Sequence, residues 1–179
     1  FEAFTDDVIA IILTILVLEI HLPDDNHSWQ ALTAMAPQFF AYLLTFIFIA
    51  TMWVNHHFLF SRVTVINNQI IWINIGQLFF ASLLPATTAW LGSDIHAQLS
   101  SMLYVVNVIC FNLVTAVLRR QVIKVNHITN MANLVTTEYV SFAVNLATLV
   151  ITYFYPPFPF FGLAVNIIWF LPHTKTHVQ

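Results

Sequence analysis

Charge, glycine and cysteine are all scarce in this chain of 179 residues: 7% of positions are charged, 3 are glycine and 1 is cysteine. Each scarcity excludes a class of protein. So few charges cannot clothe a water-soluble surface, and the net charge of −3 offers no basic face for nucleic acid. Three glycines provide neither a Gly-rich phosphate loop nor a glycine-lined ion filter. The lone Cys110, set in an apolar run, rules out a disulfide framework. No Ser or Cys stands with a His and an acid in an arrangement that suggests nucleophilic catalysis, so no catalytic residue is assigned and the chain does not read as an enzyme. The helices carry no arginine repeat of the voltage-sensor kind.

What is abundant is apolar: 59% hydrophobic residues and a mean hydropathy of +0.81. A surface of that composition faces lipid, and lipid favours helices, because backbone groups in hydrocarbon must be satisfied internally. Apolar runs bounded by charge, proline and Asx/Ser clusters give an all-α membrane protein with six transmembrane helices at about 4–22, 31–60, 69–92, 97–118, 136–155 and 158–172, in one domain over 1–179. The second run is longer than a bilayer requires and holds Pro37, which predicts a kink there or an extension beyond the lipid, and Tyr155-Pro156-Pro157-Phe158-Pro159 predicts a tight reversal between the fifth and sixth. Arg62, Arg119, Arg120, Lys124 and Lys175 all fall on one side of this topology. The opposite loops hold Asp24, Asp25 and Asp94, so both termini are expected to be cytoplasmic.

The first helix opens on Thr5, Asp6 and Asp7, which suit a helix N-terminus, and then runs from Val8 to Leu18 with Thr14 as its only polar side chain. It lacks the basic segment and small-residue cleavage site of a signal peptide. Trp53, Asn55, His56 and His57 at the end of the second helix and Asn74 early in the third lie at the same depth as Thr5 and Asp6. A hydrogen-bonded cluster would satisfy these groups together; snorkelling to the interface is the alternative. Asn107, Asn112, Asn145 and Asn166 read as polar glue between helices.

These same residues carry a resemblance. Phe4-Thr5-Asp6, then Trp53-x-x-His56 with Leu59-Phe60, then Asn74 with Leu84-Pro85, resemble the transmembrane protein 175 family. The resemblance implies a potassium-selective channel, and for a single six-helix repeat a homotetramer in a prokaryotic cell membrane, whereas the animal members carry two repeats and pair as dimers. The family's hallmark is an arginine, three residues, then Phe-Ser-Asp. Here Thr5 keeps the hydroxyl of the serine, and the arginine's place falls just before Phe1, so the chain is expected to begin part-way into a longer sequence.

The resemblance further implies that the first helices line the pore, with an aliphatic constriction five positions past the motif aspartate, at Ile11, continued by Thr14 or Ile15 and by Leu18. The apolar helix by itself, with no moment to orient it, favours core or lipid over pore for these residues. Such a ring cannot replace an ion's hydration shell as carbonyls do. It would gate by dewetting and favour potassium, which gives up water more readily than sodium. Phe4, Thr5, Asp6, Trp53, His56 and Asn74 are implied to hold the first helix in its rotation as a gating network. The imidazole, with an ordinary pKa of about 6.5, would make that network pH-sensitive. Glu19 is the outer-mouth candidate, while Asp24 and Asp25 read as solvated loop acids. The partners are then other copies of the chain, the bilayer and monovalent cations, with potassium as permeant and no cofactor or resident metal.

Two other readings compete. A membrane-embedded metal enzyme would use His56, His57 and the pair His173-x-x-x-His177 as ligands, although His21, His27 and His96 lie on the wrong side to join them. A secondary transporter would show broken helices or central ionisable groups, of which the sequence gives little sign apart from the junction prolines and Pro85.

Overall fold

The structure, a computed structural model, describes residues 2–24, 26–128 and 132–170, with side chains described throughout except at 132–137, 169 and 170. Among the described residues the elements are all helices: α1 (Glu2–Leu18), α2 (Trp29–Ala34), α3 (Ala36–Phe60), α4 (Asn68–Ser82), α5 (Leu84–Ser93), α6 (Gln98–Asn126), α7 (Ala132–Phe154) and α8 (Pro159–Phe170). Among the described residues three stretches are long and apolar enough to cross a membrane: Ala36–Phe60, Asn68–Ser93 and Gln98–Asn126. The 17 residues of α1 rise about 26 Å, close to the ~30 Å hydrocarbon thickness.

Where the helices begin and end follows from local chemistry. The second apolar run starts as α2, capped by Ser28 Oγ, which accepts from the Ala31 N–H at 3.2 Å, and restarts after Met35 with Pro37 in the first turn of α3. Proline belongs there, because that turn has no intrahelical acceptor for an N–H. The third run divides in the same way: α4, capped by Asn67, ends at Ser82, and α5 restarts with Pro85 in its first turn. The first helix stops at Leu18, short of the expected Leu22, since Glu19 to Pro23 leave the helical path.

The fourth helix differs most from its expected span. Where the sequence places a loop from Arg119 onward, α6 continues two turns further to Asn126 and ends at His127 in the left-handed region with φ 50°. Arg and Lys are good helix formers, and no proline or glycine interrupts 98–126, so charge marks the end of the apolar stretch and not of the helix. Asn126 then ties the α3–α4 loop down. Its Oδ1 accepts from the N–H groups of Thr64 and Val65 at 2.9 and 2.8 Å, and its Nδ2 donates to the Val65 carbonyl.

The main core joins Ile9, Ile12 and Leu16 of α1 to Phe48, Ile49 and Met52 of α3, Leu78 of α4, Leu91 of α5, Phe111 of α6 and Leu163 of α8. Close approach of α3 and α5 needs Gly92, where a Cβ would lie 2.9 Å from the Gln38 backbone. Gly162 plays the same part for α8 against α7, with the Thr148 side chain filling the space of a Cβ. Polar glue is also present. Asn166 Nδ2 donates to Asn145 Oδ1 at 2.8 Å, and Asn107 donates to Thr87 Oγ1 at 3.4 Å, whereas Asn112 makes no such bond.

Candidate functional site

The first helix presents two different sides. At about 100° per residue, the buried Thr5, Ile9, Ile12 and Leu16 fall on one stripe, which packs against α3, α4 and α5. Phe4, Ile11, Ile15 and Leu18 fall within roughly 60° of one another on a second stripe, exposed at 58, 55, 41 and 73% respectively. Thr14 flanks that stripe, exposed, with its hydroxyl donating back to the Ile11 carbonyl at 2.7 Å. Glu19 is half-buried just beyond the helix, Asp24 is exposed, and Asp25 lies outside the described residues.

A chain of hydrogen bonds fixes which stripe faces inward. His56 Nε2 of α3 donates to Asn74 Oδ1 of α4 at 3.1 Å, and Asn74 Nδ2 donates to Thr5 Oγ1 of α1 at 2.9 Å. Thr5 and Asn74 are fully buried and His56 is 5% exposed, so these bonds are made away from solvent, while His56 Nδ1 is buried without a partner. The His56 ring stacks on Phe60 at 4.3 Å between centroids. Alongside, Trp53 Nε1 donates to Asp6 Oδ1 at 2.8 Å, and the indole stacks on His57, whose Nδ1 lies 3.0 Å from Glu2 Oε1. Thus Thr5, Asp6, Trp53, His56 and Asn74 meet in one place, while Phe4 points away from it. The carboxylates of Glu2 and Asp6 and the ring of His57 have ligand atoms within 4.8 Å of one another. His56 is engaged with Asn74 instead, and His173 and His177 lie outside the described residues.

The sequence profile of the family described as endosomal/lysosomal potassium channel TMEM175 matches residues 1–85, which hold this network and all of α1. A potassium channel of Chryseobacterium sp. (strain P1-3) is 34% identical over 179 residues, covering 97% of this chain and 93% of the relative. The chain belongs to the TMEM175 family. A second potassium channel, from Streptomyces collinus, is 36% identical over 103 residues, 56% of this chain and 50% of that relative. The TMEM175 likeness extends to the whole fold: the crystal structure of a lysosomal potassium-selective channel TMEM175 homologue from Chamaesiphon minutus superposes with a TM-score of 0.84 at 25% identity, covering 94% of this chain and 93% of that one. TMEM175 proteins and these relatives are ion channels and not enzymes. Membrane-length helices together with bacterial relatives make the chain an integral protein of a prokaryotic membrane.

Sequence reasoning missed two polar arrangements behind the TMEM175 motif. Arg119 donates from an NH group to Glu138 Oε1 at 2.8 Å, joining α6 to α7, with both side chains more than nine-tenths buried; Arg120 approaches the other Glu138 oxygen at 3.8 Å. Assigning Arg119 to a loop hid this pair. The signal available was a lone Glu138 within an apolar run, which in a membrane calls for a cationic partner. The second arrangement links α3, α5 and α6: the Thr45 hydroxyl shares a bond with Tyr104 OH at 2.9 Å and accepts from Thr88 Oγ1 at 3.0 Å. Thr45 to Thr88 is a separation that no local sequence pattern reveals.

Proposed function

We propose that the chain is one subunit of a potassium-selective cation channel, a homotetramer whose pore is walled by the exposed stripe of α1. The observation that carries this reading is the unpartnered row Phe4, Ile11, Ile15 and Leu18 on a helix whose opposite side is locked to its own subunit. Copies of the chain arranged about an axis would give that row a common lumen. The names of the bacterial relatives, which are potassium channels, point the same way.

In this reading six segments cross the bilayer, namely α1, α2 with α3, α4 with α5, α6, α7 and α8, and both termini are cytoplasmic. Arg62 and the basic end of α6 then lie on the cytoplasmic side. Ile11 forms the narrowest ring, with Thr14, Ile15 and Leu18 lining the lumen beyond it and Glu19 at the outer mouth raising local cation concentration. A hydrophobic ring obliges an ion to shed part of its water, which costs potassium less than sodium. The Thr5–Asn74–His56 chain and the Asp6–Trp53 bond set the rotation of α1 and with it the direction in which Ile11 points. They are the gating network of this account.

The test is flux in proteoliposomes under a potassium gradient, repeated with sodium, together with subunit counting by single-molecule photobleaching in the same membranes. Potassium flux well above sodium flux from complexes of four copies is the expected result. No potassium flux across a range of pH and voltage, or flux from single copies, would contradict it.

A further inference from the structure

A cavity of about 230 Å³ opens among α3, α4, α6, α7 and α8, on the side of His56 away from α1. A single water needs roughly 10–15 Å³ in the same terms, so the space suits a small organic molecule. Its walls are mostly apolar, with Met52, Phe111 and Phe142 among them, and are interrupted by neutral polar side chains that lack partners. Thr51 and Asn55, half-buried one turn apart on α3, make no side-chain hydrogen bond, and across from them the Asn112 Nδ2 of α6 and, beside them, His56 Nδ1 are buried without partners. Gln77 spends its nitrogen on Thr115 Oγ1 at 2.9 Å, leaving its own oxygen buried and unpaired.

Unpaired polar groups at such depth are costly, and their concentration on one cavity calls for an occupant that supplies both a donor and an acceptor. The charge distribution restricts its chemistry further. Arg119 hydrogen-bonds one Glu138 oxygen and Arg120 approaches the other, which makes no hydrogen bond, at 3.8 Å, so each of these charges already has a counter-charge and none is left to offset the desolvation of an ionised head. The rim, by contrast, is exposed and largely apolar: Leu113, Val117 and Tyr139 are 51, 46 and 62% exposed between α6 and α7, with Arg120 beside them.

We propose that this cavity is a binding site for a neutral amphiphile, an apolar body carrying a primary-amide or hydroxyl head, that enters sideways between α6 and α7 and modulates ion flow. The head bonds to the Asn55 and Asn112 amides and the body fills the apolar part. Modulation follows because His56 lines the cavity on one side and holds Asn74, and through it Thr5 of α1, on the other. The effect on ion flow rests on the channel reading above; binding does not.

The test uses the full-length chain in liposomes and octanamide carrying a diazirine in its alkyl chain, photolysed and mapped by peptide mass spectrometry. Saturable labelling confined to peptides of α3, α6 and α7, competed by plain octanamide, is the expected result. Asn112→Leu should weaken apparent binding about fivefold, the loss of roughly one hydrogen bond. Ala116→Phe, which fills the cavity from α6, should abolish binding. Each variant decides independently if the other fails to fold. Octanamide should change potassium flux in the parent about twofold or more, roughly the effect of one modest contact on a two-state equilibrium, and leave flux through Ala116→Phe unaltered. Labelling that rises linearly with probe, or that both variants leave intact, would overturn the site and leave a void filled by water or closed by a neighbouring subunit. Saturable labelling with no change in a measurable flux would overturn the modulation. Saturable labelling in a parent that carries no potassium would sustain the site while refuting the channel reading.

Discussion

Replacing Asn74 by leucine tests whether the buried network holds the first helix. The substitution keeps the size of the side chain and removes two interhelical hydrogen bonds, to His56 at 3.1 Å and to Thr5 at 2.9 Å. Interhelical bonds in membranes are worth about 0.6 kcal/mol each on average, which alone would make the loss small. The larger contribution is what remains. Thr5 is fully buried and His56 5% exposed, so the hydroxyl and the ring nitrogen are left without partners, at roughly 1–3 kcal/mol apiece. The sum is about 3–7 kcal/mol. Titration of the micellar protein with a denaturing detergent, followed by tryptophan fluorescence, measures it. Adding Thr5→Val gives a double-mutant cycle in which the coupling should be about 1 kcal/mol or more, as expected for residues in direct contact. A loss under about 0.5 kcal/mol for Asn74→Leu, the range of ordinary surface substitutions, would refute the reasoning. It would mean that the apolar stripe of α1 holds its position unaided.

Glu138→Gln should destabilise the fold by about 3 kcal/mol in the same titration, because it leaves the buried Arg119 cation unbalanced, and Arg119→Met combined with Glu138→Leu should recover much of that loss. Gly162→Ala should cost about 1–3 kcal/mol by forcing α8 away from Thr148, whereas Gly76→Ala, whose added methyl would meet only a Val114 side-chain carbon at 3.7 Å, should be nearly neutral. Trp53→Phe keeps an aromatic ring over His57 but removes the bond to Asp6; a loss of about 1 kcal/mol is expected, and no further loss when Asp6→Asn is added.

The polar network was legible in the sequence for a physical reason. Thr5, Asp6, Trp53, His56 and Asn74 interrupt or border apolar runs at one depth, and polar groups in hydrocarbon must find one another. Breaks at Pro37 and Pro85 were readable in kind, since proline fixes where a donor is missing, although the sequence pointed to a kink at the first and only a weak sign of discontinuity at the second. The rotation of α1 was not readable. Its residues are apolar all round, and only the bonds of Thr5 and Asp6 distinguish the Ile9 side from the Ile11 side. Nor was the reach of α6, because the basic residues that close an apolar run do not close a helix. That misplacement concealed Arg119 from Glu138. The cavity beside His56 escaped notice because a void leaves no pattern in a sequence.

The most direct test of the central claim is the selectivity of Ile11→Asn against the parent chain, both reconstituted in liposomes and measured for potassium and sodium flux under matched gradients. With Ile11 at the constriction, the parent favours potassium, and the asparagine ring, which can hydrate a passing ion, lets sodium through and erases most of that preference. An unchanged potassium-to-sodium ratio in Ile11→Asn would place the constriction elsewhere and contradict the assignment of the exposed α1 stripe to the pore.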